Sequence, residues 1–406
     1  MPNNQEVLLR VEHLCQYFGS AGKDFKAVDD VSFDIKKGEV FGLVGESGCG
    51  KTTTGRSIIK LYKITSGDIY FKDVRISAGL RSYQDAIRKA KKELKEKLVT
   101  ASPAEAEMLK AETKAFIEEQ KNHIKLARHD QENCDTEYAS KRVALLEEKY
   151  KPLLDKAVGQ EKKELLKEYQ YELNKAKKTK LVTQIQMIFQ DPIASLDPRM
   201  TVKETIAEGL RIQGEKNEKV IEEKVYNMLE MVGLVREHAS RYPHEFSGGQ
   251  RQRIGVARAI IMQPDLIIAD EPVSALDVSV QAQVINLLNE LRDQLGLTIL
   301  FIAHDLSVVK YFSDRIGVMY YGKMVELASS DELFAHPLHP YTRSLLSAIP
   351  LPDPVYEKQR QRIVYNPLAV HDYTVDKPTM REILPGHFVQ CNDKEFAEYK
   401  AQLGIE

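Results

Sequence analysis

Apolar and polar positions along the chain predict a regular succession of strands and helices. Leu8 to Leu14 alternates between apolar and polar residues, as a half-buried strand does, and Ala27 to Ile35 predicts a second strand. Nearly unbroken apolar runs predict buried strands at residues 40–44, 266–269 and 298–303, and residues 184–189 predict a further strand. Helical spacing occurs at residues 53–61, 201–210, 218–231, 247–261 and 280–295. Strands alternating with helices predict an α/β fold with a mostly parallel sheet covered on both faces.

The composition changes between about Ala78 and Lys180, where residues that favour helices dominate. Apolar residues recur there at heptad-like spacing, with Ile117 and Ile124 on one side and Tyr150 on the other. The polar segment 128–135 suits a tip. We therefore predict a long inserted helical hairpin, antiparallel and coiled-coil-like, folded about the middle of that segment.

Three features interrupt this predicted hairpin. Ser102 to Glu105 forms a capping-box motif with proline at the first helical position, so the outgoing helix is broken there. In a hairpin folded near residue 132, this break would lie opposite Gly159 and give a jointed arm. Pro152 opposes a continuous returning helix, because proline removes a backbone donor.

The overall composition is that of an ordinary globular protein. The 406 residues are 43% hydrophobic and 29% charged, with a net charge of −2 that creates no general attraction for nucleic acid or anionic lipid. We expect neither a secretory signal nor a membrane span, because no basic segment precedes an apolar core at the N-terminus and no long apolar run occurs. Four cysteines without paired spacing argue against a disulfide framework or a zinc site and suit a reducing cytosol.

The segment after the strand at 40–44 matches a phosphate-binding loop: Gly45, Glu46, Ser47, Gly48, Cys49, Gly50, Lys51 and Thr52, with Thr53 opening a predicted helix. The glycines allow consecutive backbone N–H groups to face an anion, and the helix N-terminus adds a partial positive charge. We expect Lys51 to reach the β- and γ-phosphates and the Thr52 hydroxyl to ligate Mg²⁺. A glycine-rich turn met by chance is the alternative, but the flanking strand and helix favour nucleotide binding.

Polar residues that follow three predicted strands complete a candidate hydrolytic site. Asp270 ends one apolar strand and can hold Mg²⁺, and Glu271 beside it can polarise the water that attacks the γ-phosphate. His304 can contact the γ-phosphate, and Gln190 can coordinate Mg²⁺ or the attacking water. The alternatives are a solvated strand end for the two acids and a structural role for the histidine.

An aromatic pair follows the first strand, at a point where a ring can stack on the adenine of a bound nucleotide. We favour Phe18 for this contact and place Tyr17 second. Ordinary packing of these rings within a core is the alternative.

Five motifs occur in an order that resembles the ATP-binding subunits of ABC transporters. They are the loop 45–52, the signature Ser247, Gly248, Gly249 and Gln250, the strand and acids at 266–271, the D-loop Ser274, Ala275, Leu276 and Asp277, and His304. The signature is the most specific, although Phe246 stands where leucine is usual. The resemblance implies a P-loop nucleotide-binding domain with a mostly parallel sheet plus antiparallel β and helical subdomains. It also implies that two such domains sandwich ATP head to tail, so that this chain's signature acts on its partner's ATP.

Two further segments, 189–200 and 336–350, resemble the ATPases of oligopeptide and dipeptide importers. The ending at 346–354 and Cys49 favour the F-type subunit over its D-type paralogue. The resemblance implies an ATPase that energises peptide import in a heterodimer with the D-type ATPase. Two transmembrane permease subunits and an extracytoplasmic peptide-binding protein would complete the complex, with the ATPase peripheral at the cytoplasmic face of the cell membrane. No nucleic acid is expected as a partner, and related ATPases also serve nickel and other substrates.

The resemblance divides the chain into four parts. Residues 1–77 carry the phosphate-binding loop, 78–180 form the inserted helical arm, 181–330 complete the nucleotide-binding domain, and 331–406 form a C-terminal extension of the oligopeptide-transporter type. Many relatives hold an iron–sulfur cluster with several cysteines of this extension. Only Cys391 lies there in this chain, and one thiolate cannot hold a four-iron cluster. We therefore expect ATP and Mg²⁺ as cofactors and no iron–sulfur cluster.

Two other classes of ABC ATPase are alternatives. DNA-repair and chromosome ATPases also carry coiled coils, but the insertion here precedes Gln190 instead of following it, and such proteins do not need the transporter-type tail. Translation-associated ABC ATPases usually have two nucleotide domains, whereas this chain has one phosphate-binding loop. The insertion itself is a solvated decoration, a docking arm for another subunit of the transporter, or, through its mild basic excess, a contact with the membrane surface.

Overall fold

The computed structural model describes residues 6–19, 24–178, 180–274, 276–349 and 362–405. The chain divides into two compact units. The larger unit takes residues 1–7, 35–59 and 184–406, and the smaller unit takes residues 8–34 and 60–183. Within the described ranges, no helix combines the length and the apolar character that crossing a bilayer requires.

In chain order, the described strands are β1 (Val7–Phe18), β2 (Phe25–Lys36), β3 (Val40–Val44), β4 (Ser66–Phe71), β5 (Val74–Ala78), β6 (Ile185–Ile188), β7 (Leu266–Asp270), β8 (Thr298–Ala303), β9 (Arg315–Tyr320), β10 (Lys323–Ser329), β11 (Thr379–Leu384) and β12 (His387–Cys391). The described α-helices are α1 (Lys51–Ile58), α2 (Arg81–Lys97), α3 (Pro103–Lys156), α4 (Gly159–Lys178), α5 (Pro192–Ser195), α6 (Val202–Ile212), α7 (Glu218–Met231), α8 (Gly248–Ile260), α9 (Val278–Leu295), α10 (Leu306–Phe312), α11 (Ser330–Ala335), α12 (Pro340–Ser347), α13 (Pro367–Val370) and α14 (Asp393–Gln402).

The larger unit is built on a mixed sheet whose described strands have the order β11-β12-β10-β9-β3-β8-β7-β6. β3 pairs in parallel with β8 and β9, and β7 pairs in parallel with β8 and β6. Every residue of β3, β7 and β8 is buried, which matches the unbroken apolar runs and requires cover on both faces of the sheet. The predicted α/β class with a mostly parallel central sheet is confirmed.

The parallel strands end at one edge of this sheet, and that edge carries the candidate chemistry. Val44, the last residue of β3, pairs with Ala303 at the end of β8, and Asp270 of β7 pairs with Ile302. The phosphate-binding loop follows β3, and Glu271 and His304 follow the other two strands directly. Strand register therefore brings residues from distant parts of the sequence to the same edge.

A helical layer of α6, α7 and α8 shares the core of the large sheet. One buried apolar residue from each helix illustrates the packing: Ile206, Val225 and Ile254. α6 starts with a capping box, in which the N–H of Thr201 donates to Glu204 at 2.7 Å and the Thr201 hydroxyl accepts the Glu204 N–H at 3.2 Å. This cap fixes the start of α6, where the helical layer begins after the segment that follows Gln190.

The C-terminal extension continues the large sheet in antiparallel fashion. Glu326 of β10 pairs with Val389 of β12, and β12 pairs with β11. A small core lies here, formed by Leu338, Ile383, Val389, Cys391 and Tyr399. Cys391 is fully buried in it, and burial raises the pKa of its thiol to about 11. The residue therefore serves packing in this core.

The smaller unit contains an antiparallel sheet with the order β2-β1-β4-β5. β1 pairs with β4 through Leu9 and Phe71, and β4 pairs with β5 through Ile69 and Ser77. The inserted helices belong to the same unit, and the first of them begins shortly after β5.

The insertion does not fold as the predicted hairpin. α3 runs through 128–135 without a break, so the predicted tip is the middle of a 54-residue helix. This segment lies against the small sheet: Nη2 of Arg75 donates to Asp130 at 2.5 Å, and Gln131 donates to the carbonyl of Ala78. Three further residues in this part of α3 are buried: Ala127, Cys134 and Tyr138. The predicted hairpin tip at 128–135 is therefore wrong, because Asp130 and Gln131 bind the small sheet and the helix continues through the segment.

Two antiparallel helix pairs replace the hairpin. α2 turns back into α3, and the two helices meet where the rings of Tyr83 and His123 stack at 5.5 Å. α3 turns back into α4, and these helices meet where the rings of Tyr150 and Tyr169 are 5.2 Å apart. Tyr150, predicted to face the outgoing helix of a single hairpin, therefore packs against α4.

Both predicted interruptions exist, but they lie at opposite ends of α3. Ser102 precedes this helix, with its N–H donating to Glu105 at 2.9 Å, and α4 starts at Gly159, whose φ is +66°. The whole of α3, about 80 Å for 54 residues, separates the two turns, so they cannot form one joint. Pro152 lies inside α3, which continues past it to Lys156.

Candidate active site

The phosphate-binding loop joins the end of β3 to the start of α1 in a conformation that favours glycine. Gly45, Gly48 and Gly50 have φ angles of +151°, +81° and +105°. A Cβ atom on Gly45 would lie 2.2 Å from the carbonyl oxygen of Met319, so the loop passes directly against β9. The chain therefore curls tightly here, and side chains are excluded from the curl at Gly45.

Lys51 is buried, with 4% of its surface exposed, and its ammonium group lies inside the loop. Nζ donates to the carbonyl oxygens of Gly45 at 2.7 Å and Glu46 at 2.9 Å. Sγ of Cys49 lies 3.8 Å from Nζ, and burial raises the pKa of this thiol. The loop thus concentrates a positive charge beside the N-terminus of α1, which is an arrangement that suits phosphate.

The hydroxyl of Thr52 donates to Oδ1 of Asp270 at 2.7 Å and so joins the first turn of α1 to the end of β7. Asp270 is fully buried, and its Oδ2 atom has no hydrogen-bond partner within the described part of the chain. Burial also raises the pKa of this carboxyl group. A buried carboxylate oxygen without a partner, beside a hydroxyl, is a donor set that fits a divalent cation such as Mg²⁺.

Glu271 lies directly beyond Asp270, and two polar side chains share its Oε2 atom. Nε2 of Gln190 donates to this oxygen at 3.1 Å, and Nδ1 of His304 lies 3.2 Å from it. The backbone of Glu271 has a φ of +44°, which is uncommon for a residue other than glycine, and its N–H donates to Ile302 at 2.9 Å. The structure therefore brings the three candidate catalytic residues together around one carboxylate.

The signature residues begin α8. Ser247 is the N-cap: its backbone N–H donates to the side chain of Gln250 at 3.1 Å, and its hydroxyl accepts the Gln250 N–H at 3.4 Å. A Cβ atom on Gly249 would lie 2.6 Å from Cγ1 of Val280, so α8 and α9 approach closely at this point. Ser247 and Gly248 are exposed, which leaves the start of α8 accessible to another molecule.

The D-loop lies between β7 and α9. The hydroxyl of Ser274 donates to the carbonyl of Glu271 at 3.1 Å, and Asp277 caps α9 by accepting a backbone N–H of its first turn at 3.0 Å. Leu276 lies beside the first glycine of α8, 3.6 Å from where a Cβ atom of that glycine would be. Ala275 lies outside the described residues. The described part of the D-loop therefore touches both the carboxylate cluster and the signature helix.

The aromatic pair after the first strand lies in the smaller unit. The ring of Phe18 is 37% exposed and meets Tyr62 edge-on, with 5.2 Å between ring centroids. The hydroxyl of Tyr17 donates to Asp29 at 2.5 Å, which engages that residue within its own unit. Adenine stacking by Phe18 stays a prediction.

Tyr341, to which the sequence analysis assigned no role, contacts the loop. It lies in α12, is only 1% exposed, and its hydroxyl accepts the N–H of Glu46 at 3.0 Å. The two residues are 295 positions apart, so no local pattern could have indicated the contact. Burial raises the pKa of Tyr341. The loop is also held at Cys49, whose carbonyl accepts the Gly322 N–H at 2.9 Å.

Two family profiles match this chain. The profile of the ABC transporter family matches residues 28–167 and 160–274. The profile of the oligopeptide/dipeptide transporter C-terminal region matches residues 325–374, which lie within the predicted C-terminal extension and the strand before it.

Curated relatives match nearly the whole chain. The oligopeptide transport ATP-binding protein OppF of Bacillus subtilis (strain 168) is 47% identical over 397 residues, which cover 97% of this chain and 99% of that protein. The oligopeptide transport ATP-binding protein AmiF of Streptococcus pneumoniae is 43% identical over 399 residues, covering 98% and 99%. The dipeptide transport ATP-binding protein DppF of Lactococcus lactis is 43% identical over 380 residues, covering 92% and 90%.

Solved structures with the same fold are ATP-binding cassettes. A dimeric post-hydrolysis structure of the cassette MJ0796, bound to ADP and phosphate, matches with a TM-score of 0.50 at 20% identity, covering 80% of this chain and 99% of that chain. CbiO1 from Clostridium perfringens matches with a TM-score of 0.51 at 20% identity, covering 82% and 92%.

Proposed function

Because this chain belongs to the ABC transporter family, in the group of oligopeptide and dipeptide transport ATP-binding proteins, we propose that it hydrolyses ATP to drive the import of oligopeptides or dipeptides. One observation carries the proposal: the Lys51 loop, the bonded pair of Thr52 and Asp270, and the Glu271 cluster meet at one sheet edge. This is the set of groups that binding and hydrolysing a nucleoside triphosphate requires.

The loop would hold the nucleotide by its phosphates. Backbone N–H groups of residues 45–52 and the ammonium group of Lys51 would supply positive charge and hydrogen bonds. Thr52, Asp270 and Gln190 would hold Mg²⁺, which supplies charge neutralisation on the phosphates when it is bound. The unpartnered Oδ2 of Asp270 supports this assignment, because a buried carboxylate oxygen is costly unless something binds it.

Glu271 would act as the general base for the attacking water. Gln190 and His304 contact the same oxygen of Glu271 and would hold the carboxylate in one orientation. The side chain of His304 is 53% exposed, so it is accessible to the γ-phosphate that we propose it contacts.

The signature would complete the ATP site of a second ATPase subunit. The exposure of Ser247 and Gly248 supports this role, because another chain can reach the N-terminus of α8. We propose a D-type paralogue as that subunit, with two transmembrane permease subunits and an extracytoplasmic peptide-binding protein completing the transporter. The ATPase would lie peripherally at the cytoplasmic face of the cell membrane. A second copy of this chain is the alternative partner, and the subunit ratio in the purified complex distinguishes the two.

The test of the function is peptide uptake. The chain is co-expressed with the permease subunits, the second ATPase and the binding protein, and labelled tripeptide uptake is followed in proteoliposomes. We expect uptake that requires ATP and is lost with Lys51→Ala. Uptake that survives this substitution would contradict the proposal, and ATP hydrolysis stimulated by DNA instead of by the permease would favour the repair-type alternative.

We propose that the two helix pairs of the insertion dock to another subunit of the transporter. Large apolar side chains are exposed at both turns, including Val99 at 84% and Val158 at 81%. A partner that covered these residues would remove apolar surface from water, which a purely solvated decoration would not do.

Each helix pair can be shortened separately without touching the buried middle of α3. One variant replaces residues 92–114 by a short glycine linker and keeps the contact between Tyr83 and His123. The other replaces residues 152–166 and keeps the contact between Tyr150 and Tyr169. We expect at least one variant to lower assembly or uptake while ADP binding stays unchanged, and normal uptake with both would support the solvated decoration.

A further inference from the structure

We propose that Tyr341 is a positioning residue for the phosphate-binding loop. Its hydroxyl holds the peptide between Gly45 and Glu46, so that the Gly45 carbonyl orients Lys51 for the phosphates. The inference rests on the proposed nucleotide site. It assigns to the C-terminal extension, which contains Tyr341, a role in shaping that site.

One peptide unit of the loop is held from both sides. Its N–H, which belongs to Glu46, donates to the Tyr341 hydroxyl at 3.0 Å, and its carbonyl, which belongs to Gly45, accepts from Nζ of Lys51 at 2.7 Å. In a trans peptide the N–H and the C=O point in opposite directions and lie in one rigid plane. Tyr341 and Lys51 therefore hold opposite edges of the same peptide unit, and any rotation of this unit moves the carbonyl that Lys51 binds.

The large sheet fixes the chain immediately before Tyr341. Glu326, a fully buried residue of β10, accepts the N–H groups of Leu338 at 2.8 Å and His339 at 3.1 Å. Nδ1 of His339 in turn accepts the N–H of Tyr341 at 3.1 Å and caps α12. Burial lowers the pKa of His339 to about 3, so its ring stays a neutral acceptor at neutral pH. The start of α12 is therefore tied to the large sheet.

The ring of Tyr341 is enclosed by other aromatic rings. Its centroid lies 4.4 Å from that of Tyr320 and 5.6 Å from that of Tyr365. Packing on this scale restricts the ring, so the hydroxyl is held under the loop and does not swing between positions. Within the described part of the chain, the Tyr365 hydroxyl makes no hydrogen bond, which makes Tyr365 a matched control for Tyr341.

Tyr341→Phe removes the hydroxyl and keeps the ring. In the full-length chain we expect the Kd for ADP, measured by calorimetry, to rise about three- to tenfold, which is the range for one lost hydrogen bond. In the complex, the KM for ATP should rise by a similar factor while kcat stays within about twofold, because bound phosphates then hold the loop. Tyr365→Phe should leave both constants unchanged.

A merely structural role for Tyr341 gives a different pattern. It would lower the thermal midpoint and the active fraction while leaving the Kd of the folded fraction unchanged. Hydrogen exchange of the peptide that covers the loop should accelerate in Tyr341→Phe and not in Tyr365→Phe. Unchanged Kd and exchange in Tyr341→Phe, or an equal change in both variants, overturns the inference. Failure of the wild-type chain to bind ADP would instead overturn the proposed nucleotide site.

Discussion

Thr52 and Asp270 are joined by a hydrogen bond of 2.7 Å, while the second carboxylate oxygen of Asp270 is buried without a partner in the described part of the chain. The bond links the helix that follows the phosphate-binding loop to the strand that leads into Glu271. One carboxylate thus stands between the group that would bind nucleotide and the group that would activate water.

Asp270→Asn should keep Mg²⁺-free nucleotide binding and abolish the effect of Mg²⁺ on that binding. The amide keeps the size of the side chain and can still accept the Thr52 hydrogen bond, but it removes the charge that a divalent cation needs. In EDTA we expect the Kd for ADP to lie within about twofold of the wild-type value. Added Mg²⁺ should not lower this Kd, and ATP turnover should fall at least about 100-fold. Calorimetry with and without Mg²⁺ measures this. Asp293→Asn, at an exposed position of α9, is the control. If Mg²⁺ still raised the affinity of Asp270→Asn for ADP, the assignment of Asp270 to Mg²⁺ would be contradicted.

Glu271→Gln should stop hydrolysis without stopping binding. Glutamine matches glutamate in size and can still contact Gln190 and His304, but it cannot take a proton from water. We expect ATP turnover in the complex to fall at least about 100-fold and the Kd for ATP to stay within about twofold. Turnover and equilibrium binding of the same preparation provide the measurement. Turnover above about one-tenth of wild type would assign the general base to another group.

Lys51→Ala and Gly248→Asp should affect different ATP sites. Lys51 lies in this chain's own loop, so its removal should abolish ADP binding to the isolated chain. A Cβ atom on Gly248 makes only an ordinary contact of 3.6 Å, so Gly248→Asp should fold and bind ADP normally. In the complex, the added carboxylate should repel the nucleotide bound by the partner subunit and lower turnover. Equal loss of binding to the isolated chain in both variants would contradict the two-chain site.

His339→Asn should reduce the loss of stability, measured as the free energy of unfolding, that occurs as the pH falls. The pKa of His339 is lowered from 6.5 to about 3, chiefly by burial and also by His371 and Arg343. An unfolded chain takes up this proton near 6.5 and the folded chain does not, so stability falls as pH drops from about 6.5, by at most about 1.4 kcal/mol per pH unit. Asparagine keeps an acceptor for the N-cap and does not titrate.

Urea unfolding between about pH 7 and about pH 5 measures this slope. His336→Asn, at a half-exposed position, controls for the removal of a histidine. An unchanged slope in His339→Asn would show that the buried ring does not contribute.

The sequence predicts that the candidate site residues gather at one sheet edge, and the structure places them there because the sequence signals are local. A glycine-rich loop between a strand and a helix has few other uses, and parallel strands bring Asp270 and Glu271 to the edge where that loop lies. Each residue's neighbours along the chain therefore contain enough information to predict its place.

The predicted hairpin of the insertion is wrong because local polarity does not reveal what a helix packs against. Asp130 and Gln131 look like residues of a solvated tip, yet they bind Arg75 and the Ala78 carbonyl. Periodicity indicates that helices form and which face is apolar, but it does not determine where an antiparallel partner begins. The contact between Tyr341 and Glu46 is harder still to predict, because it depends on tertiary placement across 295 residues.

The attachment of α3 has a mechanical consequence. The helix is held near its centre, where Asp130 and Tyr138 meet the small sheet, with about 40 Å of helix before Asp130 and about 27 Å after Tyr138. A stiff helix that is held over a central segment transmits a force applied at either end to that segment. A subunit that contacted the α2 turn or the α4 turn would therefore act on the small sheet, which contains β1, through a long arm of helix.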